Sequence, residues 1–213
     1  MQKRIWIPIL QLMLAVLACA LPTGDGSLFK DDFSSESNGW GTGTDPESSA
    51  EYGEDKFVMQ VFTQDYFMWS FPQAAEYENI HIEVTAKNTT GGLNTAFGVV
   101  CDYADNDNFN YFAVLSSGEY AIAKTVPGQD DFFLTNDDQL GPSDAIAQGA
   151  ASYRIGADCS SDGTLTLYVD GTQVDTVTDT TRTKGNIGLF VWTGDDATAE
   201  VRYDDVVVTS LSP

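Results

Sequence analysis

The chain has 213 residues, with 10 Lys and Arg against 32 Asp and Glu, a formal charge of −22 and 12% aromatic residues. A field this negative repels phosphate backbones and anionic lipid headgroups, which excludes nucleic-acid binding and argues that the domain stands off a membrane surface. The aromatic content excludes a disordered acidic chain, and the length suits one domain with a large core, all-β domains included.

The first segment has the parts of a secretory signal. Lys3 and Arg4 precede an apolar run from Ile5 to Ala18, which Pro8 and Gln11 interrupt and which falls short of the roughly 20 residues of a membrane span. Val16-Leu17-Ala18-Cys19 resembles the lipobox of bacterial lipoproteins, although Leu17 is bulky for its place in that motif. The resemblance implies a signal peptide over 1–18, cleavage before Cys19 and acylation of Cys19. The mature chain is then expected in the cell envelope, outside the cytoplasm, lipid-anchored, with residues 19–27 as a flexible linker and the domain over 28–213. Two acyl chains anchor stably, at ~0.8 kcal/mol per buried methylene.

From Leu28 onward, short β-rich runs alternate with turn clusters and no long helical period occurs. In chain order the predicted strands are 28–33, 56–62, 66–71, 79–87, 96–102, 108–115, 119–125, 152–159, 164–170, 173–178, 186–193 and 199–209, with one further short strand at 132–134. In Asn79–Lys87 the alternation puts Ile80, Ile82 and Val84 on one face and His81, Glu83 and Thr85 on the other. Ser117-Gly118, Ser161-Asp162-Gly163 and Asp170-Gly171 are hairpin signals between such runs. Pro127–Ala151 is the longest irregular stretch and carries Asp130, Asp131, Asp137, Asp138 and Asp144; it reads as a mobile loop, of the kind that carries function or is simply solvated. Many antiparallel strands without helices imply two packed sheets, an all-β sandwich or jelly roll, whose terminal strands (28–33 and 203–208) pair and close the domain.

With Cys19 acylated, Cys101 and Cys159 remain. An even pair in an oxidising compartment points to a disulfide worth roughly 4 kcal/mol, the alternative being two buried thiols. There is no CxxC and His81 is the single histidine, so zinc sites and Ser-His or Cys-His catalysis lack material.

The order of Asp31-Asp32-Phe33, Gly39-Trp40, FGVVC (97–101), DNFNYF (107–112), YAIAK (120–124), LTLYVDG (165–171), GNIGLF (185–190) and Tyr203-Asp204-Asp205-Val206 resembles the concanavalin A-like lectin/glucanase superfamily. The similarity is to its laminin-G-like and keto-disaccharide-hydrolase-like branch, and it covers about residues 28–210. It implies a two-sheet antiparallel jelly-roll sandwich. Most of these motifs mark turns and core strands, with Gly185 and Gly188 allowing close approach or a bulge.

The resemblance motivates a non-catalytic carbohydrate-binding module. Sugars stack their C–H faces on flat rings while polar groups read the hydroxyls. Tyr66, Trp69, Tyr111 and Trp192 are the candidate ligand-binding residues, and Trp192-Thr193-Gly194-Asp195-Asp196 a candidate rim; for Trp69 and Trp192 the alternative is core packing, which is the expectation for Trp40 and Phe112. A neutral glycan is the expected partner. The glucanase branch uses a Glu-x-Asp-x-x-Glu strand, which neither Glu83 nor Glu200 supplies, and a retaining glycosidase needs two carboxyls ~5 Å apart. An enzyme of the keto-disaccharide type and a structural or adhesive envelope protein remain as alternatives. No cofactor is implied beyond a possible Ca²⁺, for which Asp31 and Asp32 beside Asp204 and Asp205 are candidates if the termini pair. The oxygen-rich turn at Asp105–Asn108 lacks the glycine and terminal glutamate of an EF-hand loop.

Overall fold

A computed structural model describes residues 26–73 and 75–211; the signal segment, Cys19 and most of the linker lie outside them. The strands are β1 (Ser27–Asp31), β2 (Gly43–Thr44), β3 (Ser48–Gly53), β4 (Lys56–Val61), β5 (Phe67–Ser70), β6 (Tyr77–Glu78), β7 (Ile80–Asn88), β8 (Ala96–Asp105) and β9 (Asn108–Leu115). They continue as β10 (Glu119–Lys124), β11 (Phe132–Phe133), β12 (Gly141–Pro142), β13 (Tyr153–Cys159), β14 (Thr164–Val169), β15 (Thr172–Thr178), β16 (Lys184–Trp192) and β17 (Ala199–Ser210). A nine-stranded sheet has the order β15-β14-β13-β7-β17-β4-β3-β2, with β1 also on β17. An eight-stranded sheet runs β11-β10-β9-β8-β16-β5, with β12 on β10 and β6 on β16. Every pairing is antiparallel, and the terminal strands pair as expected, Asp31 opposite Val206.

The two sheets have different sequence patterns because their outer faces differ. In β7, Ile80, Ile82, Val84 and Ala86 are buried between the sheets, while His81, Glu83 and Thr85 point outward. The outer face of the nine-stranded sheet is polar and cross-paired: Arg154 with Glu83 at 2.8 Å, His81 with Asp158 at 2.6 Å and Lys56 with Asp204 at 2.5 Å. By contrast, β9 is buried from Phe109 to Leu115 without alternation, and β16 from Gly185 to Val191. In an antiparallel sheet a continuous buried run means that both faces are covered. One face of the eight-stranded sheet packs on the other sheet through Phe97, Val99, Phe112, Val114 and Leu189. Its other face carries a second apolar layer, described below. Trp40 and Phe112 both sit in the inter-sheet core, 3% and 0% exposed.

Two devices tie the sheets together. Cys101 on β8 and Cys159 on β13 form a disulfide across the sandwich, with Cα atoms 6.7 Å apart. Tyr203, fully buried on β17, crosses the core and donates from its hydroxyl to the Phe190 carbonyl at 2.5 Å while accepting from the Gly98 N–H at 3.2 Å. Burial pushes its hydroxyl far above the usual range for a phenol. Tyr203→Phe leaves two buried backbone groups of the opposite sheet without this partner, so it is expected to cost roughly 1–3 kcal/mol. Urea unfolding with an unchanged m-value checks it.

Several local features depart from the sequence expectation. The β3–β4 hairpin was not predicted. Its turn residues, Glu54 and Asp55, both have φ near +54°, a conformation the Asn-Gly or Asp-Gly signal normally announces. Asp170-Gly171 makes the expected turn with both φ positive. The 127–151 stretch is pinned rather than free. Its β11 and β12 segments pair with β10, Ile146 is buried in the inter-sheet core, and Asp138 accepts the Phe133 N–H at 2.8 Å.

Candidate aromatic cleft on the outer face of the eight-stranded sheet

Small residues on β8, β9, β10 and β16 make room for large rings on this face. Ala96, Ala113, Ala121 and Ala123 form much of the floor. At Gly188 a Cβ would come within 2.5 Å of the Phe71 ring, so that ring lies directly on the β16 backbone. On this floor Phe67 stacks on Phe190 with centroids 5.0 Å apart and 5° between planes. Tyr111 meets both edge-on, at 5.3 and 5.1 Å. Trp69 lies 5.7 Å from Phe67 and 6.0 Å from Phe109. Such offset and edge contacts are the favourable aromatic geometries.

The layer is only partly roofed. Phe133 and Leu140 of the 127–151 stretch pack on it. The rest opens as three adjoining hollows of about 460, 380 and 220 Å³. The first and second share Asp65 and Trp192, and the first and third share Phe67, Gln129 and Asp131. Sharing these walls makes them one elongated cleft.

Its rims are built by hydrogen bonds. On one side Trp192 ends β16 and donates from its indole Nε1 to Asp65 Oδ1 at 3.2 Å. The Asp65 loop is fastened to the 193–195 turn: Asp65 N–H donates to the Gly194 carbonyl at 2.8 Å, and Gln64 Nε2 to the Asp195 carbonyl at 2.6 Å. On the other side Tyr111, 4% exposed, donates from its hydroxyl to Asp131 Oδ2 at 3.0 Å. Desolvation, reinforced by the Asp131 charge, pushes the Tyr111 hydroxyl well above its usual range. Desolvation, with Asp130 beside it, also raises the Asp131 carboxyl despite the Tyr111 hydrogen bond.

Of the four aromatic candidates, Trp69, Trp192 and Tyr111 share this face. Trp69 and Trp192 are half-buried, neither core nor free, and Tyr111 belongs to the floor. Tyr66 faces the other way on the strand, although it and Trp69 both line a further hollow at the edge of β5. Strand alternation turns Phe67 and Trp69 outward and Tyr66 and Met68 toward the inter-sheet core. The run YFMWSF hides this alternation because nearly every residue in it is apolar. Asp65, Gln129, Asp130 and Asp131 are rim residues that no strand pattern marks; the length of the irregular stretch was the one sequence signal pointing to the last three.

The carboxylates considered for calcium are divided. Asp31, Asp32 and Asp205 line a separate cleft beside the paired termini. Asp204 pairs instead with Lys56. Both Asp31 oxygens are engaged, one by the Trp40 indole and one by the Phe33 N–H, each at 2.8 Å. Among the described residues the one grouping of metal-ligand types is Cys101, Asp102 and Cys159. Its two sulfurs are bonded to each other, and Asp102, in a bulge at φ 54°, accepts from Asn110 Nδ2 at 2.9 Å while burial raises its carboxyl.

No protein-family model matches the chain, and no curated protein matches it. Solved structures do. The carbohydrate-binding module CBM66 from Bacillus subtilis is 15% identical with a TM-score of 0.64, covering 81% of this chain and 96% of that one. A β-glucanase from Bacillus licheniformis is 14% identical with a TM-score of 0.56, covering 89% and 100%. A Bacillus subtilis protein of unknown function with a galectin-like fold is 11% identical with a TM-score of 0.62, covering 87% and 96%. At these identities the likeness is one of fold alone: the chain is a two-sheet antiparallel jelly-roll sandwich, the architecture it shares with these structures.

Proposed function

We propose that this chain is a carbohydrate-recognition domain tethered to the cell envelope through an acylated Cys19, and that it binds glycan without breaking a bond. The observation that carries the reading is the aromatic layer on the outer face of the eight-stranded sheet. A soluble sandwich has no structural need to build a second layer of rings and leave its edges open, and partly open apolar surface in a cleft marks a binding site. Trp192 and Trp69 stand at those edges, beside acceptors that suit sugar hydroxyls. Solved structures of this fold include a carbohydrate-binding module and a β-glucanase, which supports a glycan ligand for the fold position. A few stacked rings and hydrogen bonds leave a modest surplus over the cost of association, giving affinities of roughly micromolar to millimolar.

Titrating a panel of neutral and cationic polysaccharides while following tryptophan fluorescence tests the binding reading; a saturable response to at least one is expected, and none across the panel contradicts it. Release of reducing ends in the same titration would identify an enzyme instead. The tether has its own test. Cys19→Ala is expected to move the protein from the membrane to the soluble fraction, and unchanged partition together with no acyl mass on the wild type would contradict the anchor.

A further inference from the structure

Charge is segregated around the cleft. Its carboxylates are Asp65, Asp107, Glu119, Asp130, Asp131 and Asp195, and no Lys, Arg or His lines any of the three hollows. Six of the eight Lys and Arg among the described residues are engaged outside the cleft lining. Lys56, Arg154 and Arg202 pair with acids on the outer face of the nine-stranded sheet. Lys124 pairs with Asp179, Lys184 with Glu76, and Arg182 is held by Asn108 and the Thr125 carbonyl. The aromatic floor and the acidic rim therefore occupy one surface with no internal counterion. Asp130 and Asp131 are adjacent like charges, and Asp131 is already raised in pKa by desolvation. A cation arriving there relieves both penalties.

Ring faces and carboxylates in one cleft select two features of a ligand at once. The half-buried Trp192 and Trp69 offer flat apolar surface to the C–H face of a sugar ring, and aromatic faces also attract cations. The carboxylates offer strong acceptors to an ammonium group on that ring. A basic peptide has the charge but lacks the flat ring, and any acidic patch on this surface would serve it equally. Sulfated and uronate chains are repelled.

We infer that the cleft recognises an amine-bearing polysaccharide, one whose sugar rings carry protonated amino groups. This rests on the glycan-binding reading above and specifies its ligand.

The test compares chitosan oligosaccharides with their fully N-acetylated counterparts of equal length, binding the purified full chain near about pH 5.5, where sugar amines are protonated and carboxylates of ordinary pKa remain charged. The deacetylated form is expected to bind roughly tenfold or more tightly at low salt, and to lose that advantage at about 0.5 M salt. Asp130→Asn with Asp131→Asn is expected to cut the advantage to within about twofold, read as the ratio of the two affinities measured on the same variant, so that any loss common to both forms cancels. Glu51→Gln with Asp55→Asn, in the remote β3–β4 hairpin, removes the same two charges and is expected to preserve the advantage. Equal binding of the two forms overturns the amine inference but leaves the glycan reading standing. So does an advantage that the hairpin double variant removes equally, or displacement by polylysine at matched charge. Absence of binding to both forms and to the neutral panel overturns the glycan reading itself.

Discussion

Removing the Cys101–Cys159 bridge is expected to destabilise the domain by about 4 kcal/mol, the largest stability effect of any change considered. The two cysteines lie 58 residues apart in sequence and join opposite sheets. In the chain-entropy account a loop of that length gives this magnitude, because the bridge restricts the unfolded chain more than it strengthens the folded one. Both sulfurs are buried, Cys101 against Asp102 and the inter-sheet core. Replacing them by Ala therefore adds the loss of packed sulfur to the loss of the cross-link. The double variant Cys101→Ala/Cys159→Ala isolates the intramolecular bridge, and chemical unfolding measures it. A loss of unfolding free energy under about 1 kcal/mol would show that the bridge holds together sheets that the core already fixes.

The largest functional effect is expected at the two half-buried indoles of the cleft. Trp192→Ala and Trp69→Ala should each weaken glycan binding by roughly tenfold or more, about 1.4 kcal/mol per tenfold. A truncated Trp removes the stacking plane itself, and at Trp192 it also frees Asp65 from its indole partner. Neither ring lies in the inter-sheet core, so the fold is expected to survive and the loss to appear as affinity rather than as unfolded protein. Trp40→Phe offers the opposite pattern. That indole is buried and donates to Asp31, so its replacement is expected to lower stability and leave the affinity of the folded protein unchanged. Calorimetric titration, with circular dichroism to confirm folding, separates the two.

The fold was largely legible because its strands obey simple patterns. The alternation of Asn79–Lys87 placed Ile82 and His81 on the correct faces, and the glycines at 118, 163 and 171 announced their turns. Pairing of the terminal strands followed from their matching character. The β3–β4 hairpin escaped because Glu54-Asp55 adopts left-handed backbone without glycine or asparagine, at a cost the flanking strand pairing covers. The site was less legible, for a physical reason. A continuous apolar strand such as NFNYFAVL states that both faces are covered but not by what. Whether the second cover is a full layer or an open cleft depends on where the 127–151 stretch comes down, and nothing local in that stretch encodes it. Trp69 and Trp192 stood out by residue type. Asp65 and Asp131 acquire their roles only through partners far away in sequence, Trp192 and Tyr111. Tyr66, adjacent to a true face residue, belongs to the other side by a single step of the strand.

The most direct test of the central claim is the response of the tryptophan indole N–H signals in a proton–nitrogen NMR titration with a bound oligosaccharide. The account predicts that the Trp69 and Trp192 signals shift on saturation, together with the backbone amides of Asp65, Gln129 and Asp131, while the buried Trp40 indole stays in place. Saturable binding that leaves Trp69 and Trp192 unmoved, with shifts gathered instead on the ion-paired face of the nine-stranded sheet or around Lys30–Asn38, would contradict it.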